Sequence, residues 1–398
     1  MGAKDQLAVN TIRMLSAEAI QKAKSGHPGL PMGAAPMAWA LFSRCLKHSP
    51  GNPGWVDRDR FILSAGHGSM LLYSLLHLFG YGITIEDIKN FRQWGSPCAG
   101  HPEYGLAKGI ETTTGPLGQG LANAVGFAIA EAHLAAKFNR ESYDIVSHNT
   151  YVLVSDGCMM EGVTAEASSL AGMLKLSKLI VLYDSNDVTI EGSTGMAFTE
   201  DVGRRYEAYG WNVLKVPEGN DVEKITRAIE KAKRSDRPTL IIVKTQIAYG
   251  SPLEGSARSH GEPLGEENIR LTREKLCYGC PPFTVPDEVS KMMKILKKDA
   301  DKHEARWDAL FERYEKAHPI LAAEWKAWHS GALPEGLEDD ASLFNFGGAS
   351  IVSTRTASGE VLNKLAAKMP NIIGGSADLG PSNKSVLKGK EYIRAGDF

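Results

Sequence analysis

Two polar positions stand where strands are predicted to end, and together they could hold a metal ion. The apolar run YVLVS ends in Asp156-Gly157, and the run LIVLY leads into Asp184-Ser185-Asn186. Oxygen atoms of Asp156 and Asn186 are hard ligands, which suit Mg²⁺ or Ca²⁺ better than zinc. With so few protein ligands, a bound phosphate and water would complete the shell, and Gly157 would let the backbone approach that phosphate. An ordinary Asp-Gly turn is the alternative for the first pair alone, and Asn186 favours the metal site.

Three histidines lie in separate loops that are rich in glycine or proline. They are His27 in SGHPGLP, His67 in SAGHGS and His101 in CAGHPE. Histidine can donate and accept hydrogen bonds near pH 7, which suits chemistry on neutral hydroxyl groups. A single loop histidine is more often a structural hydrogen-bonding residue. Convergence of all three on one edge of a sheet would favour a binding or catalytic role.

The elements that must position these residues are predicted to form a parallel α/β fold. Apolar, β-branched runs begin near positions 151, 179, 212 and 239, and helical stretches such as EASSLAGMLKL separate them. Such runs indicate βαβ units and a parallel sheet flanked by helices, which binds ligands beyond the carboxyl ends of its strands. The first hundred residues are predicted to be mostly helical. A long charged helix is predicted from about Lys291 to Trp328, and a helix followed by a strand after Ser353.

Composition restricts the class of protein. The chain has 398 residues, which is enough for two domains, and a net charge of -2 gives no reason to expect a nucleic-acid partner. No apolar run approaches the length of a membrane span, and the first residues lack the apolar core of a signal peptide. We therefore expect a cytoplasmic protein that binds no membrane. The usual P-loop and dinucleotide-binding motifs are absent, which indicates a different phosphate cofactor.

Together, the motifs resemble the transketolase family of thiamine-diphosphate enzymes. SDG and YDSN resemble the family's cofactor fingerprint, a GDG triplet followed almost thirty residues later by asparagine; here Ser155 replaces the first glycine. The segments KAKSGHPGLPMG, GHPE, TTGPLGQGLANAVG and GGSADLGPSN resemble the same family and are spread along the chain. The resemblance implies a thiamine-diphosphate-binding α/β fold. It also implies a diphosphate-binding domain over residues 1–328, a linker over 329–352 and the incomplete start of a pyrimidine domain over 353–398.

The resemblance further implies a role for each matching residue. The implied ligands of a divalent cation, Mg²⁺ or else Ca²⁺ or Mn²⁺, are Asp156, Asn186 and the carbonyl of Val188. The implied contacts of thiamine diphosphate are His67, Gly115, Leu117, Gly157, Asn186 and His260. The implied catalytic residues are His27, His101, His260 and Glu161, the last resembling an acid shared across a homodimer. The implied substrate contacts are His27, His260, Arg355, Asp378 and Ser382, with Arg355 and Ser382 holding the sugar phosphate.

The implied activity is transfer of a two-carbon ketol unit from xylulose 5-phosphate to ribose 5-phosphate or erythrose 4-phosphate. This reaction serves the pentose phosphate pathway and the Calvin cycle. No segment like REHA supplies the glutamate expected on the cofactor's aminopyrimidine, so we expect a truncated chain that is inactive alone. The alternatives are one subunit of a split transketolase, with a C-terminal partner chain, and a non-catalytic thiamine-diphosphate-binding module. Dihydroxyacetone synthase is a related enzyme that the motifs do not separate from transketolase.

Overall fold

The centre of the structure is a five-stranded parallel sheet. A computed structural model describes residues 2–348 and 351–398. The strands are β1 Arg60–Leu63, β2 Thr150–Ser155, β3 Leu179–Ser185, β4 Asn212–Val216 and β5 Thr239–Lys244. Their order in the sheet is β1-β2-β3-β5-β4, and every neighbouring pair is parallel. The predicted parallel α/β fold is therefore confirmed.

Helices precede, separate and follow the strands. Their bounds are α1 Ala3–Ala23, α2 Gly29–Ala40, α3 Ser69–Phe79, α4 Ile85–Lys89, α5 Gln119–Phe138, α6 Asp156–Met160, α7 Gly162–Met173, α8 Val202–Ala208, α9 Val222–Ala232, α10 Arg258–Gly261, α11 Glu266–Lys275, α12 Asp287–Ala317, α13 Pro319–His329, α14 Thr354–Lys368 and α15 Gly380–Asn383. All six residues of β2 are buried, which explains its unbroken apolar run. The predicted helical start of the chain also contains a strand, β1, which is only four residues long and follows the charged stretch VDRD.

Close packing of α2 against the carboxyl edge of the sheet places the first histidine loop. A Cβ atom added at Gly33 would lie 2.8 Å from the carbonyl oxygen of Gln246, which follows β5. A Cβ at Gly29 would overlap the side chain of Ile247. Glycine at both positions therefore allows the helix to approach the backbone closely. His27, two residues before this helix, is held at the same edge.

Two predicted elements differ from the structure. The long helix expected from Lys291 to Trp328 is two helices, α12 and α13, with His318 between them. Pro319 is the cause, because proline has no N–H to continue the first helix but fits the first turn of the second. The strand expected after α14 does not form, since residues 369–398 contain no strand. A strand needs neighbouring strands to satisfy its backbone, and this segment has none beside it.

The chain divides into two compact units. The first runs up to Phe311 and also contains Arg394–Phe398, and the second is Glu312–Ile393. The sheet and the predicted metal and histidine residues belong to the first unit, and Arg355, Asp378 and Ser382 belong to the second. Among the residues that the structure describes, no helix is long and apolar enough to span a membrane.

Replacing Gly172 by alanine should destabilise the first unit. An added Cβ would overlap the carbonyl oxygen of Tyr209. This oxygen belongs to the backbone, which cannot easily shift to relieve the overlap. We expect Gly172→Ala to lower the free energy of unfolding by about 1–3 kcal/mol, measured by urea denaturation. Gly126→Ala is the matched control, because a Cβ there meets no atom within 4 Å and alanine favours a helix. Equal stability of the two variants would contradict this account of α7 packing.

Candidate active site

Asp156 is a buried carboxylate at the carboxyl end of β2. It is 3% exposed and begins α6 directly after the strand. Its Oδ1 accepts a hydrogen bond from the Tyr183 hydroxyl at 2.5 Å, and its Oδ2 accepts from the backbone N–H groups of Asn186 and Asp187, both at 3.1 Å. Burial raises the pKa of the Asp156 carboxyl above its ordinary value. No lysine or arginine in the described part of the chain forms an ion pair with it.

The Asn186 side chain lies between two hydrogen-bonding neighbours. Its Nδ2 donates to Asp184 Oδ2 at 2.9 Å, and its Oδ1 accepts from the backbone N–H of Val188 at 3.0 Å. Asp187 has a φ of 63°, and this left-handed turn brings two successive N–H groups to the Asp156 carboxylate. The Asp156 carboxylate lacks a positive partner, and the Asn186 amide lies in the loop after β3 whose backbone N–H groups bond that carboxylate. This donor set fits a hard divalent cation.

A cation at this edge would need ligands beyond the protein side chains. Within residues 2–348 and 351–398, no group of three or more His, Cys, Asp or Glu side chains could hold a metal ion. The predicted site agrees with this, because it contains one carboxylate, one amide and one backbone carbonyl. Oxygen atoms of a phosphate group and of water commonly complete such a shell for Mg²⁺.

Three of the predicted histidines form a cluster. The ring centroids of His27 and His67 are 5.1 Å apart, those of His27 and His260 are 5.8 Å apart, and those of His67 and His260 are 5.0 Å apart. His67 sits in a single turn, Gly66–Gly68, shortly after β1, and His260 lies in α10. The Nδ1 atom of His27 and the Nε2 atom of His67 are buried without a hydrogen-bond partner. Buried polar atoms are normally satisfied, so these two atoms fit a bound polar ligand.

The clustered histidines are neutral near pH 7. Burial, followed by repulsion from a protonated His260 ring and from Arg92, lowers the pKa of His27 to about 4. Burial also holds the pKa of His67 well below its ordinary value and lowers that of His260. A neutral imidazole has one donor and one acceptor nitrogen, so each ring can bond a hydroxyl group in either sense.

His101, Gly115, Leu117 and Gly157 connect the histidines to the end of β2. A Cβ added at Gly115 would lie 3.3 Å from the His101 ring, and one added at Gly157 would lie 2.8 Å from a methyl carbon of Leu117. Gly115 has a φ of 155°, a conformation that favours glycine. The side chain of His101 is exposed, and partial desolvation of its ring by the surrounding protein lowers its pKa below the ordinary value. The structure thus brings these four predicted residues into one contiguous region.

Glu161 lies on the surface between α6 and α7. A Cβ added at Gly118 would be 2.9 Å from the Cβ of Glu161, which places the glutamate beside the loop that carries Leu117. The neighbouring apolar side chains Met160, Leu170 and Met173 are 38%, 42% and 62% exposed. An acid among exposed apolar side chains is consistent with a surface that another polypeptide covers.

Comparison with known proteins identifies the family. A family model described as "Transketolase, thiamine diphosphate binding domain" matches residues 4–334. The chain belongs to the transketolase family. The family resemblance that the motifs indicated is confirmed, and the matched region contains every predicted site residue except the three of the second unit.

Curated transketolases are similar along nearly the whole chain. The transketolase of Halalkalibacterium halodurans is 52% identical over 396 residues, which are 99% of this chain and 59% of that protein. That of Geobacillus stearothermophilus is 52% identical over 389 residues, 97% of this chain and 58% of that protein. That of Bacillus subtilis is 50% identical over 398 residues, 99% of this chain and 59% of that protein. This chain therefore spans less than two thirds of the length of the transketolases that it matches.

Solved transketolase structures share the fold. The transketolase from Leishmania mexicana superposes with a TM-score of 0.91 at 45% identity, covering 97% of this chain and 57% of that one. A Pichia stipitis transketolase in complex with sedoheptulose 7-phosphate superposes with a TM-score of 0.92 at 43% identity, covering 98% and 57%. The similarity thus includes both sequence and three-dimensional structure.

The second unit contains the three predicted residues for the sugar phosphate. Arg355 lies in α14 and Ser382 in α15, and Arg355 Nη1 is 3.4 Å from Ser382 Oγ. Asp378 is exposed in the segment between these helices. Two predicted phosphate contacts of the transketolase resemblance are therefore neighbours within the unit, although 27 positions separate them in the sequence.

Some residues of the site were not assigned a role from the sequence. Tyr183 bonds the Asp156 carboxylate, and Asp184 accepts hydrogen bonds from Thr245 and Asn186. Asp184 and Thr245 are polar residues at the ends of predicted strands, a signal that could have marked both as candidate site residues. Their contact with each other could not be predicted, because it depends on the order of strands in the sheet. Tyr183 gave no signal, because a tyrosine at the end of an apolar strand is commonly a packing residue.

The neutral state of His27 should make stability depend on pH. An unfolded chain binds a proton at His27 below pH 6.5, whereas the folded chain does so only near pH 4. Acidification from pH 6.5 to 4 therefore lowers the free energy of unfolding, by about 1 kcal/mol per pH unit for this residue. In urea denaturation, His27→Asn should reduce the slope of unfolding free energy against pH by about that amount.

His101→Asn, at an exposed position, is the control and should change this slope less. An unaltered slope in His27→Asn would contradict the prediction, because it would show a charged His27 ring in the folded chain.

Proposed function

We propose that this chain forms the cofactor-binding part of a transketolase, which transfers a two-carbon ketol unit from xylulose 5-phosphate to ribose 5-phosphate or erythrose 4-phosphate. One observation carries the proposal. The carboxyl edge of the sheet combines a buried carboxylate that has no positive partner with histidines whose buried ring nitrogens, at His27 and His67, have no partner. Family membership and the sugar-phosphate complex of the Pichia stipitis relative support it.

The residues at this edge fit thiamine diphosphate and a divalent cation. Asp156, Asn186 and the Val188 carbonyl would hold Mg²⁺, or else Ca²⁺ or Mn²⁺. Contacts with the cofactor are proposed for His67, Gly115, Leu117, Gly157, Asn186 and His260. Two observations support this: the His67 Nε2 atom lacks a partner, and glycine at 157 leaves room beside Leu117. When bound, thiamine diphosphate supplies a carbanion and an electron sink for cleavage of the bond between C2 and C3 of a ketose.

The chain's own histidines would orient the sugar and move its protons. His27, His101 and His260 can each donate to one oxygen and accept from another, because burial favours the neutral imidazole. An imidazole that is neutral at the working pH can take a proton from a sugar hydroxyl as the carbon–carbon bond breaks. It can return that proton afterwards. The charge of Arg92 favours this neutral state at His27 and His101.

The second unit is proposed to bind the phosphate of the sugar. The Arg355 guanidinium can form two parallel hydrogen bonds to a phosphate, and the Ser382 hydroxyl beside it can donate a third. Asp378 would accept hydrogen bonds from sugar hydroxyls. We retain 1–328 as the diphosphate-binding domain, 329–352 as a linker and 353–398 as the start of a pyrimidine domain; residues 349–350 of the linker lie outside the described residues.

The enzyme is proposed to be a homodimer in which Glu161 contacts the partner. Exposed apolar side chains around Glu161 support this, and Leu170 and Met173 lie on one face of α7 because they are three residues apart. We expect sedimentation velocity to show a dimer for the wild-type chain and a monomer for Met173→Glu. Ile295→Glu is the matched control, because Ile295 is 64% exposed in a different helix. A monomer at high concentration with the cofactor bound would contradict the proposal.

Ketol transfer and cofactor binding test the proposed function. The chain alone, with thiamine diphosphate and Mg²⁺ in excess, should show no ketol transfer, because no REHA-like segment supplies the expected glutamate. A fusion that continues this chain into the remaining part of the Bacillus subtilis transketolase should transfer the ketol unit from xylulose 5-phosphate to ribose 5-phosphate. In that fusion Asp156→Asn should weaken Mg²⁺-dependent cofactor binding and lower turnover at least about 100-fold.

Controls separate loss of the site from loss of the fold. Asp236→Asn changes an exposed aspartate and should leave binding and turnover unchanged. A folded fusion that neither binds thiamine diphosphate nor transfers the ketol unit would contradict the proposed function. Turnover by the chain alone would show that one of its own residues replaces the expected glutamate.

A further inference from the structure

Asp184 is a buried carboxylate to which the proposed function assigns no role. It is fully buried near the end of β3, and in the sheet it stands opposite Ser155, the residue before Asp156. Its Oδ1 accepts a hydrogen bond from the Thr245 hydroxyl, and its Oδ2 accepts from Asn186 Nδ2 at 2.9 Å. No arginine or lysine among the described residues forms an ion pair with it. A buried acid without a positive partner is costly to keep, so its retention requires a physical reason.

We propose that Asp184 is a positioning residue that fixes the Asn186 amide with its oxygen available to the cation. This inference rests on the proposed function, since it concerns the cation that Asn186 would bind there. A side-chain amide has two ends of nearly equal shape, and only the oxygen end can bind a hard cation. The site therefore requires one of the two orientations of the Asn186 amide, and the shape of the side chain alone does not select it.

Two neighbours, one a hydrogen-bond acceptor and one a donor, favour the same orientation of the Asn186 amide. Asp184 accepts from the Thr245 hydroxyl at one oxygen and from Asn186 Nδ2 at the other, so the NH₂ end of Asn186 faces it. The backbone N–H of Val188 can only donate, so the oxygen end must face that side, and it does so at 3.0 Å. A flipped amide would lose both hydrogen bonds and place two oxygens together on one side and two N–H groups together on the other. The second lone pair of the amide oxygen remains free for a cation.

The Thr245 hydroxyl holds the carboxylate in turn. It donates to the other oxygen of Asp184 from the residue after β5, the strand that pairs with β3. Asp184 therefore has one oxygen fixed by Thr245 and the other directed at Asn186. A metal ligand oriented by an outer carboxylate is a common arrangement, and loss of the outer partner typically costs 10–100-fold in metal affinity.

An electrostatic effect of Asp184 must be separated from a positioning effect. The negative charge alone would attract a cation, and removing it would weaken binding whatever Asn186 does. Asn186→Ala distinguishes the two effects, because it leaves no amide to orient and adds no charge beside Asp184. In that background orientation no longer matters, whereas the charge of Asp184 matters as before.

The test is a double-mutant cycle on Mn²⁺ binding by the 398-residue chain. Free Mn²⁺ is measured by electron paramagnetic resonance in the presence of thiamine diphosphate, with protein-free samples as blanks. We expect Asp184→Asn to weaken Mn²⁺ binding 10–100-fold in the wild-type background and less than about threefold in the Asn186→Ala background. Near-equal losses in the two backgrounds, or wild-type affinity in Asp184→Asn, would overturn the inference.

A second variant covers the case in which Asp184→Asn does not fold, as judged by near-ultraviolet circular dichroism. Thr245→Val keeps the Asp184 charge but releases one of its oxygens, and it should weaken Mn²⁺ binding about 3–10-fold in the wild-type background only. Folded Thr245→Val with unchanged affinity would then overturn the inference. Absence of Mn²⁺ binding in the wild-type chain would overturn the cation site itself, and with it both proposals. Strong wild-type binding with no effect of Asp184 would overturn the positioning role alone.

Discussion

The structure depends on how the carboxyl edge of the sheet accommodates two buried acidic side chains. Asp156 and Asp184 end neighbouring parallel strands, and no basic side chain of the described residues pairs with either. Burial raises the pKa of both, that of Asp184 to about 7. The Tyr183 hydroxyl, two backbone N–H groups, Thr245 and Asn186 supply neutral hydrogen bonds instead of positive charge. Neutral donors offset only part of the cost of burying charge, and a bound cation would offset the rest.

The histidine cluster complements this acidic edge because it carries no charge of its own. Protonated rings 5.0–5.8 Å apart would repel one another, and burial already disfavours their charged forms. In the proposed site, neutral rings would instead direct N–H donors at phosphate oxygens, and the cation would balance most of the ligand's negative charge. The close approach of α2 to the end of β5, which Gly29 and Gly33 allow, places His27 within that arrangement. In the proposed site, the cation and the histidines would divide the recognition of a diphosphate between charge and hydrogen bonding.

The sequence predicted the features that local patterns encode. Continuous apolar runs indicated the parallel sheet, and the spacing of Asp156, Gly157 and Asn186 identified the loops that meet at its edge. The sequence did not reveal β1, because three apolar residues after a charged stretch do not distinguish a strand from a helical turn. The long helix was overextended because its charge pattern continues past Pro319. The link between Asp184 and Thr245 could not be predicted, since it requires β5 to lie beside β3 although β4 comes between them in the sequence.

The types of side chain at the carboxyl edge of the sheet determine which cation the proposed site could hold. Three histidine or acidic side chains with suitably placed ligand atoms could bind zinc together with a water, and no group of the described residues, the histidine cluster included, meets that requirement. Asp156, Asn186 and a backbone carbonyl are too few for the octahedral shell of Mg²⁺, so in the proposed site the diphosphate must supply further oxygens. Cation and cofactor would then bind as one unit, each weakly alone. The correct orientation of a single amide matters more in such a site than in a full protein cage, because each missing oxygen removes a larger share of the protein's contribution.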